Sequence, residues 1–154
     1  VGGGVMFGAL VYMQALLAPL PLSAHTDVAL RQMAGWRDLA TRIADHAGPG
    51  DFIAACDYGT AAELATVMPG RVVVGMEPRW ALFNLPHDVA GEGIMVCNPR
   101  RDFDRDDFTS VQPVATLTRG RRKRVAERVT LYRVSLRPDL SPAQRSTIVR
   151  LPTP

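Results

Sequence analysis

The sequence predicts an α/β protein: an N-terminal transmembrane helix followed by a small Rossmann-like domain with a mixed sheet, in which a parallel βαβ core carries a C-terminal antiparallel hairpin. Three observations predict it. The first 24 residues carry no charged side chain, and ordinary charged, globular sequence follows. Residues 51–75 hold two short apolar runs on either side of a helix-like segment. Residues 111–118 and 124–136 alternate apolar and polar side chains around a basic turn. The division is then 1–22 as a last transmembrane helix belonging to a larger protein, 23–137 as the α/β domain and 138–154 as a tail.

The opening run, VGGGVMFGALVYMQALLAPL, is about as long as the roughly 20 apolar residues a helix needs to cross a bilayer. It starts without an initiator Met or a basic leader, so the chain reads as a fragment. A signal peptide lacking its basic start, with Leu22-Ser23-Ala24 resembling a cleavage site, and a buried core helix are the other readings. Gly4 and Gly8 have the spacing of a small-residue helix-packing motif. Pro19 and Pro21 end the helix, because proline lacks the N–H and restricts the residue before it.

Asp27 is suited to cap a second helix over 28–46, where Leu30, Met33, Trp36, Leu39, Ala40 and Ile43 form one stripe at three- and four-residue spacing. Gly48-Pro49-Gly50 ends it. The run 51–56 is a buried strand, 59–68 a helix closed by Pro69-Gly70, and 71–75 a second, Val-rich strand. A strand–helix–strand this short makes the two strands parallel, and continuous apolar runs fit a sheet covered on both faces. Residues 77–92 read as loop, 93–98 as a third strand, and 98–107 as a charged connection with a short helix near Asp104. Alternation in 111–118 and 124–136 gives an antiparallel hairpin at a sheet edge, turning at residues 119–123.

The composition excludes several classes. Apolar residues at 47% and charged residues at 21% exclude a disordered tail. The net charge is +3 and Lys123 is the single lysine, which does not by itself point to nucleic acid. Cys56 and Cys97 form no metal or thioredoxin pattern; they are small core hydrophobes, or a disulfide if their strands are neighbours in an oxidising compartment. The turn Asp57-Tyr58-Gly59-Thr60 has one glycine where a dinucleotide fingerprint needs three. No phosphate-binding loop, nucleophile elbow or His-Glu-x-x-His motif occurs. His25, His46 and His87 are far apart and read as surface residues. Asp102, Asp104, Asp106 and Asp107 alternate with Arg100, Arg101 and Arg105, a self-compensating loop rather than a metal site.

Two groups remain as candidate sites. Asp57, Tyr58 and Glu63 follow the first strand of the parallel core, where open α/β sheets bind ligands. Arg119, Arg121, Arg122, Lys123 and Arg124 form a basic turn suited to phosphates or lipid headgroups, or to a charged tip that prevents edge-to-edge association. Aromatic residues are sparse beside it, which argues against single-stranded nucleic acid.

The order of features resembles the C-terminal end of bacterial dolichyl-phosphate-mannose-protein-mannosyltransferase-like enzymes, polytopic glycosyltransferases of the GT-C superfamily (family 39) related to the aminoarabinose transferases. The resemblance runs from Pro19-Leu20-Pro21-Leu22 through Gly35-Trp36-Arg37-Asp38-Leu39-Ala40, Phe52-Ile53-Ala54-Ala55, Tyr58, Ala61-Ala62-Glu63-Leu64-Ala65 and Pro69-Gly70. It continues through Arg79-Trp80, Phe83-Asn84-Leu85, residues 93–97, Phe108 with 111–118, and Leu131-Tyr132-Arg133-Val134. Thr66-Val67 stand where relatives carry an aromatic pair before Pro-Gly. The resemblance implies transfer of a sugar from a polyprenyl-phosphate donor to a lipid, glycan or protein acceptor. The donor and the membrane are its implied partners, together with the remaining transmembrane helices of the same protein, and no nucleic acid. It implies a bacterial inner membrane location with the domain facing the periplasm or cell exterior. The catalytic carboxylate would lie in an outer loop absent here, so no residue of this chain is catalytic and no cofactor or metal is implied for it. Tyr58, Arg79 and Trp80 become candidates to shape the acceptor side, since arginine pairs with phosphate and aromatic rings stack on sugars. A single-pass, membrane-tethered Rossmann-like binding module is the alternative reading.

Overall fold

The computed structural model of the protein describes residues 2–17, 32–77, 80, 89–101, 103–121 and 124–139. Their elements are α1 (Gly2–Leu17), α2 (Trp36–Ala44), β1 (Phe52–Ala55), α3 (Tyr58–Val67), β2 (Val73–Gly75), β3 (Glu92–Cys97), β4 (Phe108–Arg121) and β5 (Arg124–Leu136). The five strands form one mixed sheet in the order β2-β1-β3-β5-β4. β1 lies parallel to both β2 and β3, with Ile53 opposite Val73 and Ile94. β5 runs antiparallel between β3 and β4. The parallel unit and the edge hairpin therefore stand as the sequence pattern requires.

β1 is buried at every residue because it is central and covered on both faces. On one face Ile53, Val73, Ile94, Val96, Val129 and Leu131 meet Trp36, Leu39, Ala40 and Ile43 of α2 and Leu64 of α3. On the other, Phe52, Ala54, Val74, Met95 and Val134 pack with Val89, Phe108 and Leu136, and half-buried Phe103 and Tyr132 close over them. Among the described residues, both helices of the domain thus lie on one face, and the second is covered by loop and strand-end side chains.

Three expectations are corrected. The helix expected over 28–46 does not run unbroken: α2 begins at Trp36, and Gly35 before it has φ 79°, in the left-handed region. Residues 18–31, with the proposed Asp27 cap, lie outside the described residues. The break follows from a long-range contact. A Cβ on Gly35 would stand 2.5 Å from the carbonyl oxygen of Gly120 and 2.8 Å from its nitrogen, so two backbones meet where only glycine fits. Gly35→Ala is expected to cost about 2–3 kcal/mol, from left-handed strain and displacement of β4. Urea denaturation checks this, and an unchanged midpoint would refute it.

The hairpin is also longer than expected. β4 runs to Arg121 and β5 starts at Arg124, so residues 119–121 are strand rather than turn. The ladder absorbs irregularities near Ser110, Ala115 and Gly120, and Pro113, which cannot donate an N–H, sits on this edge strand beside the second of them. The third correction concerns the short helix near Asp104. The segment is a turn in which Asp104 accepts from the Asp106 N–H and Arg105 from that of Phe108.

The N-terminal run is helical as expected, but α1 covers 16 residues. Among the described residues no helix is long and apolar enough to cross a membrane.

At the far end of the domain, Arg137 hydrogen-bonds Asp139 and holds its carboxyl below the usual carboxylate range. What this exposed pair contributes is present at neutral pH and disappears as pH falls through the lowered carboxyl value; solvent screening keeps it small.

Candidate functional site

The chain leaves β1 through α3 to reach β2, then crosses to β3 on the opposite side of β1. The connections that leave β1 and β3 therefore separate, with α3 on one face of the sheet and Phe103 on the other, an arrangement of the kind at which α/β sheets bind ligands. A groove of about 770 Å³ occupies this position. Its size falls within the range of small-molecule sites.

One wall is the start of α3. Asp57 is extended, and its carboxylate accepts from the Thr60 N–H at 2.9 Å, which stops the strand and caps the helix. Glu63, further along α3, lines the same wall. The opposite wall comes from the loop after β3, with Asn98 and Arg100, and from the hairpin. β3 ends with Cys97 opposite Thr130, so residues 124–129 of β5 project beyond it, paired only with β4. This projecting arm carries Arg119, Glu127 and Arg128 to the groove.

A polar network holds the arm in place. Glu127 accepts from Asn98 Nδ2 at 2.6 Å through one carboxylate oxygen and from Arg119 Nη2 at 3.0 Å through the other. Arg119 donates from Nη1 to the Ala34 carbonyl at 2.8 Å, and its guanidinium lies 3.9 Å from the centre of the Trp36 ring. Trp36 in turn donates from Nε1 to the Gln32 carbonyl at 2.7 Å. Arg119 is only 3% exposed, so this ion pair is shielded from solvent and directional.

Cys56 and Cys97 form a disulfide with a Cα–Cα distance of 5.1 Å. It settles the alternatives left open by the sequence. Cys56 immediately precedes Asp57, and Cys97 immediately precedes Asn98, so the bridge joins the roots of the two walls.

The sequence-derived candidates divide accordingly. Asp57 and Glu63 line the groove. Tyr58 does not; its N–H donates to Glu77 Oε2 at 2.9 Å and its ring packs 6.0 Å from that of Trp80. Trp80 is 1% exposed and sits against Ala55 and Ala61, which corrects its assignment as a sugar-stacking residue. Arg79 lies outside the described residues, as do Arg122 and Lys123 of the basic turn. Arg121 and Arg124 are half-buried and pair in register at the end of the hairpin. Arg119 points inward, so it is removed from the proposed headgroup surface. Among the described residues no cluster of three potential metal ligands occurs.

Sequence reasoning missed Trp36, Asn98, Glu127 and Arg128. A turn centred on 122–123 would place Arg119 opposite Ala126; the irregularity between Arg119 and Gly120 shifts the register by one and brings Glu127 there instead, a step that no local pattern announces. Nothing local marks Trp36 or Asn98 as lining a groove, because the contacts that bring them to the hairpin arm, with Arg119 and Glu127, are remote in sequence. No protein-family model, curated protein or solved structure matches the chain.

Proposed function

We propose that this chain is the extracytoplasmic, Rossmann-like domain of a membrane glycosyltransferase, preceded by a transmembrane helix over 1–22. The whole enzyme transfers a sugar from a polyprenyl-phosphate donor to a lipid, glycan or protein acceptor, and this domain is not catalytic alone. The observation carrying the membrane part is the surface of α1. Val5, Met6 and Phe7 are 71%, 74% and 69% exposed, and Leu10, Val11, Tyr12 and Met13 are exposed beside them. Burying such side chains is worth roughly 1.5–3 kcal/mol each, so on the order of 10 kcal/mol goes unrealised unless hydrocarbon or other helices cover α1. The disulfide supports an oxidising compartment. The sugar-transfer part rests on the resemblance described above.

Two measurements test the halves separately. The chain is expected to stay with carbonate-washed membranes and to need detergent for release, whereas deletion of residues 2–17 releases it. A full chain that is monomeric without detergent overturns the membrane assignment. Membranes from cells carrying the intact gene are expected to transfer sugar from a polyprenyl-phosphate donor to acceptor, and gene-disrupted membranes to lack that transfer. Equal transfer overturns the glycosyltransferase reading and leaves the membrane-tethered binding module, which the groove favours.

A further inference from the structure

The first described residues after α1 are fastened to the hairpin arm. Arg119 donates to the Ala34 carbonyl, its guanidinium lies over the Trp36 ring, and Gly35 fits against the backbone of Gly120. Gly120 is followed by Arg121, whose partner at the end of the ladder is Arg124. Whatever holds α1 therefore tethers the domain at this arm, and not at the opposite end of β5, where Arg137 and Asp139 lie. The arm is also where positive charge is concentrated. Residues 119–128 hold six cations and one carboxylate, while the whole chain has a net charge of +3. Arg119 and Glu127 form an ion pair with each other. The excess is carried by Arg121, Arg124 and exposed Arg128, with Arg122 and Lys123 between the first two in sequence.

We propose that the tip of this hairpin docks on the anionic phospholipid headgroups of the membrane that α1 enters. The inference rests on the membrane half of the proposed function and is independent of sugar transfer. Clustered cations beside a membrane anchor are attracted to anionic lipid, by roughly fivefold in affinity for each one near the surface. The tether makes this contact intramolecular, so modest attraction suffices to hold the domain in one orientation. Arginine suits the role because its planar fork matches two phosphate oxygens. Arg121 and Arg124 stand directly opposite each other, and the repulsion between such like charges is relieved by an anionic surface. Nucleic acid is the poorer fit, because residues 114–131 hold no aromatic side chain on which bases could stack.

The full chain placed in nanodiscs of phosphatidylcholine, or of phosphatidylcholine with phosphatidylglycerol, tests it. Lys123 is the single lysine of the chain, so its acylation by an uncharged amine-reactive ester, mapped by mass spectrometry, reports on the tip. Acylation is expected to be at least about fivefold slower in the anionic discs. Raising the salt to about 0.5 M is expected to erase the difference. Arg121→Gln together with Arg124→Gln is expected to erase it as well, with thermal melts to show that the variant is folded. The salt arm needs no substitution and decides the matter if the variant is not. Equal rates in the two lipids overturn the proposal and leave the membrane assignment standing. So does a difference that survives salt or, in a folded variant, the substitutions. A chain that enters neither disc overturns both. Protection of Lys123 by a duplex oligonucleotide, with none from phosphatidylglycerol, overturns the proposal in favour of nucleic acid.

Discussion

Replacing Cys56 and Cys97 together by alanine is expected to lower the stability of the α/β domain by about 4 kcal/mol. The bridge joins residues 41 apart, and closing a loop of that size removes much of the freedom of the unfolded chain. The loop contains α3, β2 and the crossover to β3, so without the bridge the parallel core must be assembled by packing alone. Both side chains are buried with Phe52, Met95 and Val134, and truncation to alanine adds a smaller packing loss. Reduction of the unmodified protein isolates the cross-link from that packing term. Urea titrations with and without reductant are the measurement. A midpoint unmoved by reductant means that the two strand ends hold their places without the bridge.

Arg119→Ala is expected to destabilise the domain by about 3–5 kcal/mol. The guanidinium bonds Glu127 and the Ala34 carbonyl and lies over Trp36, all shielded from water. Its removal leaves the Glu127 carboxylate, whose side chain is 19% exposed, with only Asn98 for a partner. Arg119→Lys should recover little, because an ammonium cannot serve the carboxylate, the carbonyl and the ring face together. A double-mutant cycle with Glu127→Ala should show coupling above about 1 kcal/mol, since the two groups share one network. Additive effects in that cycle would mean that Arg119 acts only by filling space beside Trp36.

Much of the architecture was legible from local pattern. Two apolar runs flanking a helix read as parallel strands because parallel pairing requires a crossover of that kind, and β1 and β2 pair that way. The apolar positions of 124–136 located β5 to the residue, with Val129 and Leu131 buried on one face of the sheet and Val134 and Leu136 on the other. Asp57 and Glu63, singled out by their place after the first strand, line the groove at that end of the sheet. Arg119 was misplaced because five cations in six residues look the same in sequence whether they form a loop or end a strand. Trp80 was misplaced because an aromatic beside an arginine carries no sign of its burial. Gly75 supplies that sign only in three dimensions: a Cβ there would lie 2.9 Å from the Trp80 ring.

The sequence by itself determined the kind and order of the elements, the parallel core with its edge hairpin, and an opening helix apolar on every side. These depend on periodicity, proline and glycine stops, and charge, all of which act over a few residues. Only the tertiary structure decided where α2 begins, that Cys56 meets Cys97, that Arg119 turns toward Glu127 and Trp36, and that the start of α3, the loop after β3 and the hairpin line one groove. Each of those outcomes is a contact between segments distant along the chain, set by strand register and by backbones close enough that only glycine fits between them.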